Sequence, residues 1–137
     1  MIDIRSLRDE DREAAAQIWA SGGDAGAADL RERLVRELGY GWSAWLAWRD
    51  GTPVGFLAMQ IEARRLDELY VSPGAHRTGV GTALFRFAEA HMPAGFWLRT
   101  RADDPRAAAF YERQGCRRGE VQRHPTLGFD TVIYRWP

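Results

Sequence analysis

The chain contains no lysine and no asparagine; all 19 basic residues among its 137 are arginine. Without lysine there is no Schiff-base enzyme, no pyridoxal-phosphate attachment and no phosphate-loop lysine, and without asparagine there is no Cys-His-Asn nucleophile system. The single cysteine, Cys116, cannot form an internal disulfide, and with three scattered histidines it makes no zinc-ligand spacing. Net charge is absent too: 19 basic residues balance 19 acidic ones, so no whole-molecule field draws in nucleic acid or an anionic membrane. No run approaches the ~18 apolar residues of a membrane span, and Met1-Ile2-Asp3-Ile4-Arg5 reads as a strand instead of a signal peptide. These absences predict a soluble, cytoplasmic protein with no metal, no nucleic-acid partner and no membrane partner.

The length suits one domain with one core, taken here as residues 1–137. Ile2 to Leu7 alternates like a strand, and Asp9 is placed to cap a helix reaching about Ala20. After a glycine-rich loop, Leu30, Leu34, Val35 and Leu38 recur at helical spacing as far as Gly39, which reads as a left-handed stop. Two β-rich runs, Trp42 to Arg49 and Pro53 to Glu62, flank Asp50-Gly51, a strong hairpin signal. A strand from Leu66 to Val71 follows, then an amphipathic helix over 79–91 carrying Val80, Ala83, Leu84, Phe87 and Ala88 on one face.

Phe96 to Arg101 reads as a strand, and Asp104 caps a helix with Pro105 at its first position and Gly115 at its end. Cys116 to Gln122 and Thr131 to Trp136 supply the last strands. The order β-α-α-β-β-β-α-β-α-β-β predicts an α/β fold: a mixed, mainly antiparallel central sheet with helices on both faces. Its strand-helix-strand connections are expected to lay strands side by side in parallel.

The chemistry concentrates in residues 69–84, where a strand ends, a short loop turns and a helix begins with Gly79 and Gly81. Glycines there remove Cβ atoms where a ligand could approach, and the unpaired N–H groups of a helix start suit pyrophosphate, with Arg77 beside them. A Rossmann fingerprint would need a third glycine where Leu84 stands and would follow the first strand; a phosphate loop would need the missing lysine. A second motif, Asp104-Pro105-Arg106-Ala107-Ala108-Ala109-Phe110-Tyr111-Glu112-Arg113-Gln114-Gly115-Cys116, begins 23 residues after Gly81.

Together the two motifs resemble the GNAT superfamily of acyl-CoA-dependent N-acyltransferases. Its pattern is a Gln/Arg-x-x-Gly-x-Gly/Ala loop after the fourth strand, followed by Asn-x-x-Ala-x-x-Phe-Tyr-Glu-x-x-Gly-Phe. The resemblance covers the element order of the whole chain and is specific over residues 66–116. His76 stands where the family has Gln or Arg, Asp104 replaces Asn, and Cys116 replaces Phe. Asp104 can cap a helix as Asn does but donates no hydrogen bond to a cofactor.

The resemblance implies acetyl transfer from acetyl-CoA, as co-substrate and without a metal, to the primary amine of a small molecule or peptide, by direct attack in a ternary complex. Backbone groups of Leu69, Tyr70 and Val71 would pair with the pantetheine arm, and the loop of His76, Arg77, Thr78, Gly79, Val80, Gly81 and Thr82 would hold the pyrophosphate. Asp104, Ala107 and Tyr111 would complete the cofactor site, Tyr111 also serving as the acid for the departing thiolate. Glu68 is the first candidate for the base and Asp67 the second. The family branch that acetylates protein N-termini carries a catalytic Glu on the fifth strand, where Arg99 stands here.

Acceptor choice is expected to come from the 21–29 loop and residues 123–130, with Asp24, Asp29 and Asp130 available to a cationic amine. One or two of Trp42, Trp45 and Trp48 are expected to line the acceptor pocket. The resemblance also allows a homodimer, and it leaves open a module that binds acyl-CoA as a sensor without transferring anything. His91, His124 and Cys116 read as structural, Cys116 as a small buried apolar residue.

Overall fold

A computed structural model describes residues 1–137. At the hairpin Asp50 and Gly51 both adopt positive φ, 52° and 78°, which matches the right-handed twist of the strands they join. Those strands are β2 (Ser43–Arg49) and β3 (Thr52–Gln60); β1 (Asp3–Ser6) pairs antiparallel outside β2, and β4 (Arg65–Val71) antiparallel beyond β3. The remaining strands are β5 (Phe96–Arg101), β6 (Arg117–Gln122) and β7 (Thr131–Trp136), and the sheet order is β1-β2-β3-β4-β5-β7-β6.

The expected mixed, mainly antiparallel sheet is therefore present, with one correction. Only β4 and β5 lie side by side in parallel; β5-α4-β6 does not, because β7 inserts between them and pairs antiparallel with both. The helices are α1 (Arg12–Ala20), α2 (Ala27–Leu38), α3 (Val80–His91) and α4 (Pro105–Arg113). One face of the sheet buries Ile18, Trp19, Leu30 and Leu34 of α1 and α2 against Trp42, Leu46 and Phe56. The other buries Leu84, Phe85 and Tyr111 of α3 and α4 against Leu57, Leu66, Leu98 and Tyr134.

Two local expectations fail for identifiable reasons. Asp9 lies in a short 3-10 turn, Asp9–Asp11, and the carboxylate of Asp11 accepts from the Arg8 N–H at 3.0 Å, so α1 starts later. Gly39 stays right-handed at φ −73°, and the left-handed turn falls at Gly41, φ 109°, after Trp42 has been drawn back by its N–H bond to the Glu37 carbonyl. The cap at Asp104 is as expected, its side chain accepting from the Ala107 N–H at 3.0 Å.

The parallel pair β4/β5 is the feature that shapes the rest. It touches in register only at Arg65 and Trp97, with the Trp97 N–H bonding the Arg64 carbonyl at 3.0 Å, and beyond that point the strands part. Helix α3 packs across β3 and β4 and seats so closely that a Cβ on Gly55 would lie 2.8 Å from Leu84 Cδ1 and 2.9 Å from Val80 Cγ1. Gly55→Ala is expected to destabilise the protein by about 1–3 kcal/mol through overpacking. Urea denaturation of the two proteins measures the difference.

Candidate active site

Where β4 leaves β5, half of its backbone loses its neighbour. The Ser72 N–H bonds the Val54 carbonyl, which fixes the alternation of the β3/β4 ladder: Tyr70 and Glu68 pair with β3, while the N–H and C=O groups of Leu69 and Val71 face the opening. Tyr70 thus departs from the expectation for this segment, since its backbone belongs to the ladder. The Val71 carbonyl is met by His76 Nε2 at 2.9 Å, so the His76 ring braces the strand end.

The loop after β4 continues the exposed row of donors. Arg77 at φ 62° and Gly79 at φ 90° turn the chain into α3, and the N–H groups of Arg77, Thr78, Gly79, Val80, Gly81 and Thr82 donate to no backbone carbonyl, the first such bond being Ala83 N–H to the Gly79 carbonyl. Six adjacent free N–H groups at a helix N-terminus form a concentrated site for anionic oxygens. Gly79 has nothing within 4 Å of the position its Cβ would take, whereas a Cβ on Gly81 would lie 3.1 Å from the Phe110 ring. Only Gly79 opens the surface to a ligand; Gly81 makes room for α4.

Arg49 at the end of β2 holds this loop, donating from Nη1 to Thr78 Oγ1 at 2.9 Å and from Nη2 to the Thr78 carbonyl at 3.0 Å. Nothing in the sequence marks Arg49, because its partner lies 29 residues away on a different element. Thr82 accepts from Gln114, just past the end of α4, at 3.3 Å, and Arg77 is exposed. Asp104 and Ala107 are engaged with each other in the α4 cap.

A family model described as "Acetyltransferase (GNAT) family" matches residues 4–116. The chain belongs to that family. Relatives of similar sequence include the peptidyl-lysine N-acetyltransferases YjaB of Salmonella typhimurium, 30% identical over 84% of this chain and 83% of the relative, and YiaC of Escherichia coli. The YiaC match is 29% identical and spans 68% of this chain but only 62% of the relative's length. Among solved structures, the ribosomal-protein-S18-alanine N-acetyltransferase of Escherichia coli superposes with a TM-score of 0.83 at 23% identity, over 100% of this chain and 94% of that one. The PaiA N-acetyltransferase of Thermoplasma acidophilum, in complex with coenzyme A, gives 0.76 at 21%, over 98% of each chain. At these identities the structural likenesses speak to the fold.

On the GNAT framework, the carboxylates lie on the α1/α2 side of the opening. In the β3/β4 ladder Ala58 faces Glu68 and Met59 faces Leu66, so Asp67 is an extra residue, a β-bulge. Strict alternation would send Asp67 and Glu68 to opposite faces of the sheet. The bulge instead brings both to one open cavity of about 280 Å³, with Arg33 and Glu37 of α2, Trp42, Arg65, Leu66, Trp97 and Arg99. Of the three tryptophans considered earlier only Trp42 lines it. Residues 21–29 and 123–130 do not line this cavity; part of its wall comes from α2, whose Arg33 and Glu37 were not among the residues singled out in the sequence. Asp130 is occupied otherwise, accepting from the His124 N–H at 3.3 Å.

Burial raises the carboxyl of Glu68 to about 8, with Arg33 opposing the shift and Asp67 adding to it. Asp67 is also raised by burial, against its 2.6 Å bond from Arg65, and its second oxygen is buried without a partner. Tyr70 is raised to about 12 by burial and by the neighbouring Glu68. Its ring lies where a side chain on Gly22 would be, which ties the glycine-rich α1–α2 loop to the site.

Tyr111 is buried between Phe85, Phe110 and Tyr134, its phenol pushed upward by burial and then by Tyr70 and Glu68. The three side chains Glu68, Tyr70 and Tyr111 thus bear on one another across the opening. The Cys116 thiol is buried and raised to about 12, so it is no nucleophile at neutral pH. No group of three His, Cys, Asp or Glu side chains could hold a metal, and no helix is long and apolar enough to cross a membrane.

Folded Glu68 keeps its proton up to about pH 8, whereas the unfolded chain releases it near 4.5. Between those values the native state binds more protons, so this group's contribution to stability falls as pH rises through the window. Glu68→Gln is expected to gain stability relative to wild type as the pH is raised from about 4.5 to about 8. Denaturation curves across that range check the sign.

Proposed function

We propose that this chain is an acetyl-CoA-dependent N-acetyltransferase acting on a primary amine by direct attack in a ternary complex. The reading rests on one observation: the free backbone groups of Leu69 and the free Val71 N–H run directly into six unpartnered N–H groups at the start of α3. An extended amide arm ending in a pyrophosphate needs those two features in that order. Leu69 and Val71 bind the arm as a further strand, and residues 77–82 bind the phosphates, with Arg77 adding charge and Arg49 fixing the loop. His76 serves the site indirectly, through the Val71 carbonyl.

Acetyl-CoA supplies a thioester, whose acyl carbon is open to attack and whose thiolate is a fair leaving group. An attacking amine must lose its proton, and Glu68 is suited to take it, since its carboxyl is raised to about 8 and lies on the wall of the cavity beside the opening. Asp67 is the weaker candidate, being held by Arg65.

Tyr111 faces the opposite requirement. Burial keeps its phenol far less acidic than a thiol, which titrates near ~8.5, so full proton transfer to a thiolate would be uphill. Its part is to donate a hydrogen bond as negative charge develops on sulfur, leaving the thiolate to collect its proton from water. The names of the two curated relatives make a lysine ε-amine the first acceptor to try.

Amine-dependent release of free thiol from acetyl-CoA tests the transfer itself. Tyr111→Phe should lower kcat about tenfold or more with little change in acetyl-CoA affinity; an unchanged kcat removes Tyr111 from the chemistry. Arg49→Ala should weaken acetyl-CoA binding about tenfold by calorimetry, in keeping with the loss of charged hydrogen bonds that order the loop. For wild type, kcat/KM should climb with pH through about 8, and Glu68→Gln should abolish that limb along with most of the rate.

A further inference from the structure

The acceptor cavity holds more than carboxylates. Three guanidinium groups line it, and only Arg65 is paired, with Asp67 at 2.6 Å. Arg33 and Arg99 have no carboxylate within 4.0 Å and no hydrogen bond; each is held by an indole face instead, Arg33 at 5.3 Å from the Trp19 ring centre and Arg99 at 5.6 Å from that of Trp97. A guanidinium over an aromatic face with no hydrogen bond keeps its N–H fork free, and that fork matches a carboxylate.

The charges facing the cavity come from α2 (Arg33, Glu37), β4 (Arg65, Asp67, Glu68) and β5 (Arg99). Arg65 and Asp67 cancel. With Glu68 ionised, as its role as base requires, Glu37 and Glu68 balance Arg33 and Arg99, so the cavity offers both signs: carboxylate for an amine and guanidinium for an anion. A purely cationic acceptor such as a polyamine would leave those guanidiniums without a partner and set its second charge near them. Its volume, about 280 Å³, is at the small end for ligand pockets and fits one small amine or one side chain.

We propose that the acceptor is an amine that carries a carboxylate near it, the amine directed to the Glu68 side and the carboxylate to the free guanidiniums of Arg99 and Arg33. This rests on the transfer reading above and specifies its substrate class. A free amino acid and a lysine flanked by an acidic residue share this chemistry.

The test compares free lysine with cadaverine, which has the same chain and terminal amine but no carboxylate, as acceptors for the full chain at saturating acetyl-CoA. The expected result is a kcat/KM at least tenfold higher for lysine. In Arg99→Gln that ratio should fall close to one, mainly through the KM for lysine, and Arg99→Glu should turn the preference toward cadaverine. A parallel pair of lysine peptides, one with aspartate and one with alanine beside the lysine, separates the two sources: an advantage confined to the acidic peptide identifies a peptide acceptor, one confined to free lysine an amino acid.

No carboxylate advantage in either pair overturns the proposal, as does an advantage that survives Arg99→Gln and Arg33→Gln unchanged. If acetyl-CoA binds by calorimetry but no amine of any kind releases thiol, the transfer reading fails and this one falls with it. If all amines react alike, only the substrate class fails.

Discussion

A pair of parallel strands that begin together and then part sets the terms for everything else in this molecule. Parallel strands cannot be joined by a tight turn, so the chain leaves β4 through a loop and α3 before it returns as β5. The two strands meet at Arg65 and Trp97 and then separate, which leaves main-chain donors and acceptors without the partner a sheet would give them. Unpaired backbone is costly when buried, so the opening persists only where solvent or a ligand can reach it. Tyr111 and Tyr70 lie on opposite faces of the sheet around it.

The bulge at Asp67 is the second constraint, and it works through parity. With a period of two, neighbouring residues on a strand face opposite ways, and Leu66 is committed to the α3 side by its burial under that helix. Tyr70 is committed to the other side, and an odd residue between them is needed to satisfy both. Asp67 is that residue. Its insertion places two adjacent carboxylates on one cavity wall, where burial makes both harder to ionise, Asp67 adds to the shift of Glu68, and Arg65 opposes that of Asp67. The unequal titration of a carboxylate pair thus follows from core packing several residues away, not from any property of the Asp-Glu sequence.

The same constraints decide what could and could not be read from the chain. Local signals survived because local geometry enforces them: Asp50-Gly51 turned, Asp104 capped α4 and the apolar stripe of α3 found the sheet. The position of β7 between β5 and β6 was hidden, since it depends on pairing between distant segments. So was the direction of Gly81, which a motif treats as equal to Gly79 although only the packing of Phe110 separates their roles. Arg49, Arg33 and Glu37 carry no motif at all; they matter through elements that reach the site from elsewhere in the fold. The family was legible because its signature lies in one strand-loop-helix unit. The wall of the cavity beside Glu68 was not, because α2 supplies part of it across a glycine-rich loop.

The absence of lysine has a structural counterpart in how the cations are used. Arg49 grips a hydroxyl and a carbonyl of the same residue at once, a task for a planar fork and not for a compact ammonium. Arg33, Arg65 and Arg99 lie over indole rings around the cavity, which fixes their positions while leaving their edges to bond. A lysine in the same places would bring a flexible primary amine to the mouth of a site proposed to deprotonate primary amines. In an acetyltransferase such a side chain would compete with the acceptor from within. Arginine supplies the charge without that competition, so the residue missing from the sequence and the reaction proposed for the site are compatible for one chemical reason.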